Sequence, residues 1–222
     1  MIIAQFVAAV ILGYLIGSIP FGVLIGKHGA KVDVRGYGSG KTGATNVLRT
    51  VGSRAAAAVL ILDLAKGILA VFIAGLIVGN DHLVVNNFAL GMLTAQVLAA
   101  LAAVAGHIWP VFLKFKGGRG VATFFGGLIA LSPLVGLFGS EVFIIGAGLT
   151  RFASMGSIAG TVGSYAILVP LTIMNGFPIE YLLYSLAGVI IVFVMHRDNI
   201  ARLVSGKERK LGDKVAGGEG VW

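Results

Sequence analysis

The chain has 222 residues, 57% of them apolar and only 12% charged, with a formal net charge of +8 and a mean hydropathy of +0.97. A soluble domain carries about 25% charged residues, so this composition excludes an ordinary globular core and points to a polytopic bilayer protein. The absence of cysteine excludes disulfides, thiol nucleophiles and cysteine metal sites. No pair among the four histidines has metal-ligand spacing, so neither a metal nor another cofactor is expected.

Residues 2–26 (IIAQFVAAVILGYLIGSIPFGVLIG) contain no charge, which is the length a spanning helix needs. No Lys or Arg precedes them and the run is too long for the core of a signal peptide, so they read as a retained first span. Further apolar segments fall at 54–79, 88–108, 120–150, 155–175 and 179–195. As a single helix the segment at 120–150 would measure about 46 Å, and Ser132-Pro133 lies near its middle. Proline disfavours helix at the preceding residue, so two shorter spans, 120–131 and 134–150, are the other reading.

Charge placement chooses between them. Lys27, Lys31, Arg35, Lys41, Arg49 and Arg54 cluster in one connection, Lys114, Lys116 and Arg119 in a second, and Arg151 and the tail follow, whereas 80–87 and 175–178 contain no Lys or Arg. Seven spans put every basic cluster on one side, and the positive-inside rule makes that side cytoplasmic and the N-terminus external. The pI near 10 is then loop charge, and nucleic acid is not an expected partner. The short segment 120–131 is either re-entrant or tilted. Pairs such as Gly13-x-x-x-Gly17 and Gly156-x-x-x-Gly160 are small-residue seams for helix packing.

In the first basic connection, GYGSGKTGATN (36–46) imitates two nucleotide signatures. The P-loop pattern fails because position 35 is Arg35, where glycine is required, and the Rossmann pattern lacks its preceding strand. No nucleotide is expected. The shared physics remains, since glycines let backbone N–H groups turn inward and a following helix adds positive potential. Gly38, Gly40 and Gly43 with Ser39, Thr45, Asn46 and Arg49 therefore form a candidate anion loop. His28 and Asp33 match an H-x-x-x-x-D acyltransferase spacing without its companion motif, and His28 reads as an interfacial loop residue.

The connection GHIWPVFLKFKGGRGVAT (106–123) brings a second glycine turn. Lys116, Gly117, Gly118, Arg119 and Gly120 open directly into a helix, another anion site by the same reasoning. His107 either caps a helix end or joins the site. TRFASMGS (150–157) supplies Ser154, and HRDNIARL (196–203) sets His196 and Asn199 three apart on one helical face. Four polar sites from distant sequence thus converge on one membrane face. Against this stands a transporter reading, resting on Glu141 and Gln96 within predicted spans, since ionisable groups there are functional candidates. Asp63 and Lys66, also three apart in a span, are expected to pair.

GSG-x-x-GATNVLRTVG (38–52), GHIWPVFLKFKGG-x-GVAT (106–123) and H-x-x-NIARL (196–203) resemble, in order, the three motifs of the PlsY family of bacterial membrane acyltransferases. The resemblance implies a seven-helix fold in the bacterial inner membrane with a cytoplasmic active site. It implies transfer of an acyl group from acyl phosphate to the 1-hydroxyl of glycerol 3-phosphate, giving lysophosphatidic acid and phosphate. Functional positions carried over from the family are Ser39, Arg49, Arg119, Ser154, His196 and Asn199. Two residues depart from the family pattern: Lys41 where asparagine is usual, and Arg119 where lysine is usual. No covalent intermediate is required, because acyl phosphate already carries a good leaving group. Either His196 or the substrate's own phosphate takes the hydroxyl proton. The expected organisation is one membrane domain, 1–205, followed by a mobile cytoplasmic tail, 206–222, with a soluble acyl-phosphate-forming enzyme a candidate partner for its basic residues.

Overall fold

A computed structural model describes residues 1–85 and 88–213. The chain is an all-helical integral membrane protein with, among the described residues, one small hairpin of strands. Helix α1 (Ile2–Gly17) breaks at Ser18–Pro20 and continues as α2 (Phe21–Ala30). A short amphipathic helix α3 (Ala44–Thr50) precedes the long α4 (Ser53–Val78). Strands β1 (Leu83–Val85) and β2 (Phe88–Leu90) pair antiparallel, Leu83 opposite Leu90, before α5 (Met92–Ile108). The remaining helices are α6 (Val121–Leu131), α7 (Pro133–Thr150), α8 (Ala153–Asn175), α9 (Ile179–Met195) and α10 (Arg197–Val204).

The two-helix reading of 120–150 holds: α6 stops at Leu131 and Pro133 opens α7 at a position where its missing N–H costs nothing. The fifth helix starts four residues later than the segment expected from 88, because Phe88–Leu90 goes into the hairpin. Among the described residues, five units are long and apolar enough to cross a membrane: Ile2–Ala30, Ser53–Val78, Met92–Leu113, Pro133–Thr150 and Ala153–Met174. A sixth is added if α9 and α10, bent by 61°, count as one span, and α6 with 11 residues falls short.

Small residues make the helix contacts close. Helix α1 lies against α5 and α4, α4 against α6, and α7 against α8. At Gly17 there is no room for even a methyl group, because a Cβ would overlap the carbonyl of Ala103 on α5; a Cβ at Gly106 would likewise overlap the carbonyl of Tyr14. Such approach of backbones replaces the hydrophobic drive that lipid does not provide. The largest core cluster gathers Val97, Val104, Phe124, Leu128 and Tyr184. Tyr184 stacks on Phe124 at 5.1 Å between ring centroids, and its hydroxyl donates to the Phe124 carbonyl at 2.9 Å, so the buried O–H is satisfied.

Candidate active site

The first glycine loop is organised by one side chain. Asn46 is buried, and its Nδ2 donates to the carbonyls of Val34 (2.8 Å), Lys41 (2.9 Å) and Tyr37 (3.2 Å). Its Oδ1 accepts the Ser39 N–H at 2.9 Å. Sequence placed Asn46 among the groups that bind substrate; the structure spends its amide on holding the loop. Gly38 and Gly40 have φ of 59° and 68°, the left-handed region that a loop folding around Asn46 requires. Gly43 caps α3, its carbonyl accepting from Asn46 and Val47. Thr45 is half-buried in the first turn of α3, and Arg49 lies in its last turn.

The second loop turns back on the end of α5. The Gly117 N–H donates to the Ile108 carbonyl and the Gly118 N–H to the His107 carbonyl, both at 3.0 Å. Gly120, at φ 81°, leads into α6. Gly117, Gly118 and Gly120 are buried, Arg119 is half-buried and Lys116 is exposed. His107, expected among the binding groups, is buried under this turn, with Nδ1 3.5 Å from Asp63 Oδ1 and only 6% of the residue exposed. It supports the loop from within and does not line the cluster described next.

That cluster forms where α8, α9 and α10 meet the chain after residue 205. His196, at the bend between α9 and α10, is buried, and its Nδ1 donates to the Val192 carbonyl at 2.8 Å. A carbonyl can only accept, so the proton is on Nδ1 and Nε2 keeps its lone pair. Burial first, then the neighbouring Arg119, pushes the His196 pKa down to about 4, with the Val192 bond and Glu208 opposing. The imidazole is neutral at neutral pH.

Glu208 is the residue that sequence reasoning passed over. Its Oε1 accepts from Asn199 Nδ2 at 2.6 Å and from Ser154 Oγ at 3.1 Å, and its Oε2 accepts from Arg202 Nε at 2.9 Å. The signal available was a lone carboxylate in a basic segment, twelve positions beyond His196. Arg49 and Arg119 lie near enough to feel Glu208, Arg202 and, for Arg119, each other. Burial lowers the pKa of both, Arg119 to about 10, so both remain cations. The Nε atoms of Arg49 and Arg119 and Oδ1 of Asn199 are buried without a hydrogen-bond partner among the described residues. Buried donors on a cation normally have an acceptor, which makes these two candidates to donate to an anion.

Residues 206–213, assigned from sequence to the tail, reach back to this cluster. Arg49 Nη2 donates to the carbonyls of Arg209 (3.2 Å) and Lys210 (3.3 Å), and the Leu211 N–H donates to the Arg151 carbonyl at 2.7 Å. The rest of the expected tail lies outside the described residues. All four expected sites therefore contribute a residue around Glu208: Arg49 from the first, Arg119 from the second, Ser154 from the serine turn, and His196 with Asn199 from the third motif. Ser39 sits on the loop feeding α3, and its hydroxyl has no partner among the described residues.

The competing features lie elsewhere. His28 Nδ1 donates to the Leu24 carbonyl while Asp33 is engaged by Arg35 at 2.7 Å and Lys27 at 3.5 Å, so the two do not form a dyad. The Arg35 guanidinium holds the Asp33 carboxyl well below the usual range. Glu141 is exposed on an outward face of α7 beside Leu137, Phe138 and Ile144.

Comparison with known proteins agrees with this geometry. A family model described as glycerol-3-phosphate acyltransferase matches residues 7–206. The chain is 60% identical to "Glycerol-3-phosphate acyltransferase 3" of Dehalococcoides mccartyi, over 96% of this chain and 99% of that protein. It is 41% identical to a glycerol-3-phosphate acyltransferase of Thermoanaerobacter pseudethanolicus, over 94% and 97%. A crystal structure of PlsY, an integral membrane glycerol 3-phosphate acyltransferase in its glycerol 3-phosphate form, superposes with a TM-score of 0.80 at 36% identity, covering 93% of this chain and 96% of that one. Its lysophosphatidic acid form superposes with a TM-score of 0.78 at 35% identity, covering 94% and 96%.

Proposed function

The chain belongs to the glycerol-3-phosphate acyltransferase family, and from that premise we propose that it transfers an acyl group from acyl phosphate to the 1-hydroxyl of glycerol 3-phosphate. The products are lysophosphatidic acid and inorganic phosphate. The observation that carries this reading is the pair of buried Nε atoms on Arg49 and Arg119, without a partner among the described residues, beside a convergence of Ser154, His196 and Asn199.

Two phosphates must be held and one hydroxyl aimed at a carbonyl. The guanidiniums of Arg49 and Arg119 neutralise phosphate charge and present planar donors. The Ser39 hydroxyl on the first glycine loop and the N–H groups of the first turn of α6, which the second glycine loop opens, complete the cradle for the phosphates, with Lys116 at its rim. Ser154, His196 and Asn199 hold glycerol 3-phosphate. The hydroxyl attacks the acyl carbon, the carbon–oxygen bond to phosphate breaks, and that bond's electrons leave with the phosphate. Fixed donors stabilise the developing oxyanion without reorganising, and orientation supplies the rest of the acceleration.

The low basicity of His196 bears on the proton. A general base is most effective with a pKa near the working pH, and about 4 is far below it. His196 Nε2 therefore serves as the acceptor that orients the 1-hydroxyl, while an oxygen of the departing phosphate takes the proton.

Seven spans with every basic loop on the cytoplasmic side of the inner membrane follow from the charge distribution. The acyl chain then lies among the helices, open to lipid. The basic segment around Lys207, Arg209 and Lys210 is a place for an acyl-phosphate-forming enzyme to dock.

The test is phosphate release by the purified protein in lipid from palmitoyl phosphate, with and without glycerol 3-phosphate. Release that depends on glycerol 3-phosphate and is lost in Ser39→Ala supports acyl transfer. No release from a folded wild-type protein overturns it.

A further inference from the structure

We propose that Asp63, Lys66 and His107 act as a positioning cluster that sets the two glycine loops relative to each other from inside the membrane domain. The inference rests on the acyl-transfer reading of those loops and names residues that touch no substrate.

Asp63 and Lys66 sit one turn apart on α4, 2% and 3% exposed. Lys66 Nζ is 2.9 Å from Asp63 Oδ1, and the same oxygen is 3.5 Å from His107 Nδ1. An ion pair within a membrane domain is costly, and apolar side chains of equal volume often hold helices at least as well. What apolar residues do not provide is a fixed direction. Here the directions lead to both loops.

One connection runs through Lys66. Its Nζ donates to the Ile19 carbonyl at 3.3 Å, in the break between α1 and α2, and lies 5.8 Å from the centre of the Phe21 ring. One residue on, Gly22 packs so closely on the Thr42 carbonyl that a Cβ would overlap it. Thr42 is part of the first glycine loop. The cluster and these residues line one narrow polar cleft that includes Ser18, Phe21, Thr42, Asp63, Lys66 and His107.

The other connection runs through His107. Its carbonyl accepts the Gly118 N–H, and its ring lies against the Gly118 Cα, where an added Cβ would overlap Nε2. The ring is packed between Asp63, whose Oδ1 approaches Nδ1 to 3.5 Å without a hydrogen bond, and Gly118. The residue after Gly118 is Arg119, so the ring limits where the backbone that carries that guanidinium can lie. A misplacement of about 1 Å costs up to about 100-fold in rate.

The experiment is a size exchange, read as kcat and KM for glycerol 3-phosphate in lipid at a temperature below every variant's Tm. Gly118→Ala is expected to lose about 100-fold in kcat/KM and His107→Ala about 10-fold. The double variant is expected to recover at least about 10-fold over Gly118→Ala, because the vacated ring volume accepts the new methyl group. The paired Asp63→Asn, Lys66→Met variant removes both charges together. It is expected to keep the wild-type Tm within a few degrees and lose about 10-fold in kcat/KM.

A double variant no better than Gly118→Ala, or wild-type kcat/KM in the charge-free pair, overturns the inference. The rise in Tm produced by inorganic phosphate is measured on the same proteins. If the wild type lacks acyl transfer but shows the rise, the acyl-transfer reading fails alone. The cluster is then judged by whether the rise disappears in Gly118→Ala and returns in the double variant. If the wild type shows neither, both fall.

Discussion

Asn199 and Glu208 meet at 2.6 Å, from amide nitrogen to carboxylate oxygen, and this contact ties the bend after α9 to the segment that follows α10. The same carboxylate oxygen takes the Ser154 hydroxyl, so one acidic side chain aligns groups from two loops. Glu208→Ala is expected to destabilise the protein by about 2–3 kcal/mol, the loss of hydrogen bonds to a charged, buried acceptor. Thermal unfolding in detergent measures it, and Glu208→Gln should lose less because it keeps one acceptor oxygen. An unchanged Tm in Glu208→Ala would show that these bonds do not order the site.

His196 carries the pH prediction. Its folded pKa is lowered from 6.5 to about 4, so the folded state favours the neutral ring. The stability this contributes is fully present above about 6.5 and is lost as pH falls through about 4. In the substrate-free protein the imidazole should show no titration between pH 5.5 and 8 by NMR of labelled histidine. A midpoint near 6.5 would mean the ring is solvated and the burial argument fails.

Arg119 distinguishes charge from shape. Arg119→Ala should reduce kcat/KM by about 100-fold or more, as expected on removing a preorganised donor from an oxyanion site. Arg119→Lys should retain most of the activity, because an ammonium still balances the phosphate although the planar fork is lost. Equal losses in both would assign the guanidinium geometry itself to the reaction. Steady-state kinetics in lipid separates the outcomes.

Gly17→Val tests the helix seam. A side chain there overlaps the Ala103 carbonyl, which forces α1 away from α5 and removes close packing that lipid does not restore. The expected result is aggregation or early elution breakdown on size exclusion, with thermal stability lowered by several degrees. Ile11→Val, on an exposed face of α1, is the matched substitution that should change nothing.

Much of this architecture was legible in the sequence. Uncharged runs gave the helices, and Ser132-Pro133 marked the break between α6 and α7 because proline acts locally. The strands at Leu83–Val85 and Phe88–Leu90 were hidden, since a short apolar run reads the same in helix and strand. For the site, motif residues named Arg49, Arg119, Ser154, His196 and Asn199, which the fold brings together. Motif reading failed where a residue's partner is distant. Nothing local says that Asn46 spends its amide on three carbonyls, or that His107 faces Asp63 forty-four positions earlier. Glu208 was missed for the same reason, as its partners lie as far off as Ser154.

The reversal at Ser132 has a mechanical side. Helix α6 has 11 residues, about 16 Å of rise, against a hydrocarbon core of about 30 Å. Ser132 is buried, its N–H donates to the Leu128 carbonyl at 2.8 Å, and its own carbonyl accepts the Gly136 N–H at 2.9 Å. Both backbone groups of Ser132 are thus paired, as a nonpolar setting requires. Helix α6 has no exposed residue, so the surrounding bilayer meets the longer helices, α4 and α8 among them, and not the short one. A change in membrane thickness therefore loads the outer helices first and reaches the Gly117–Gly120 turn only through them.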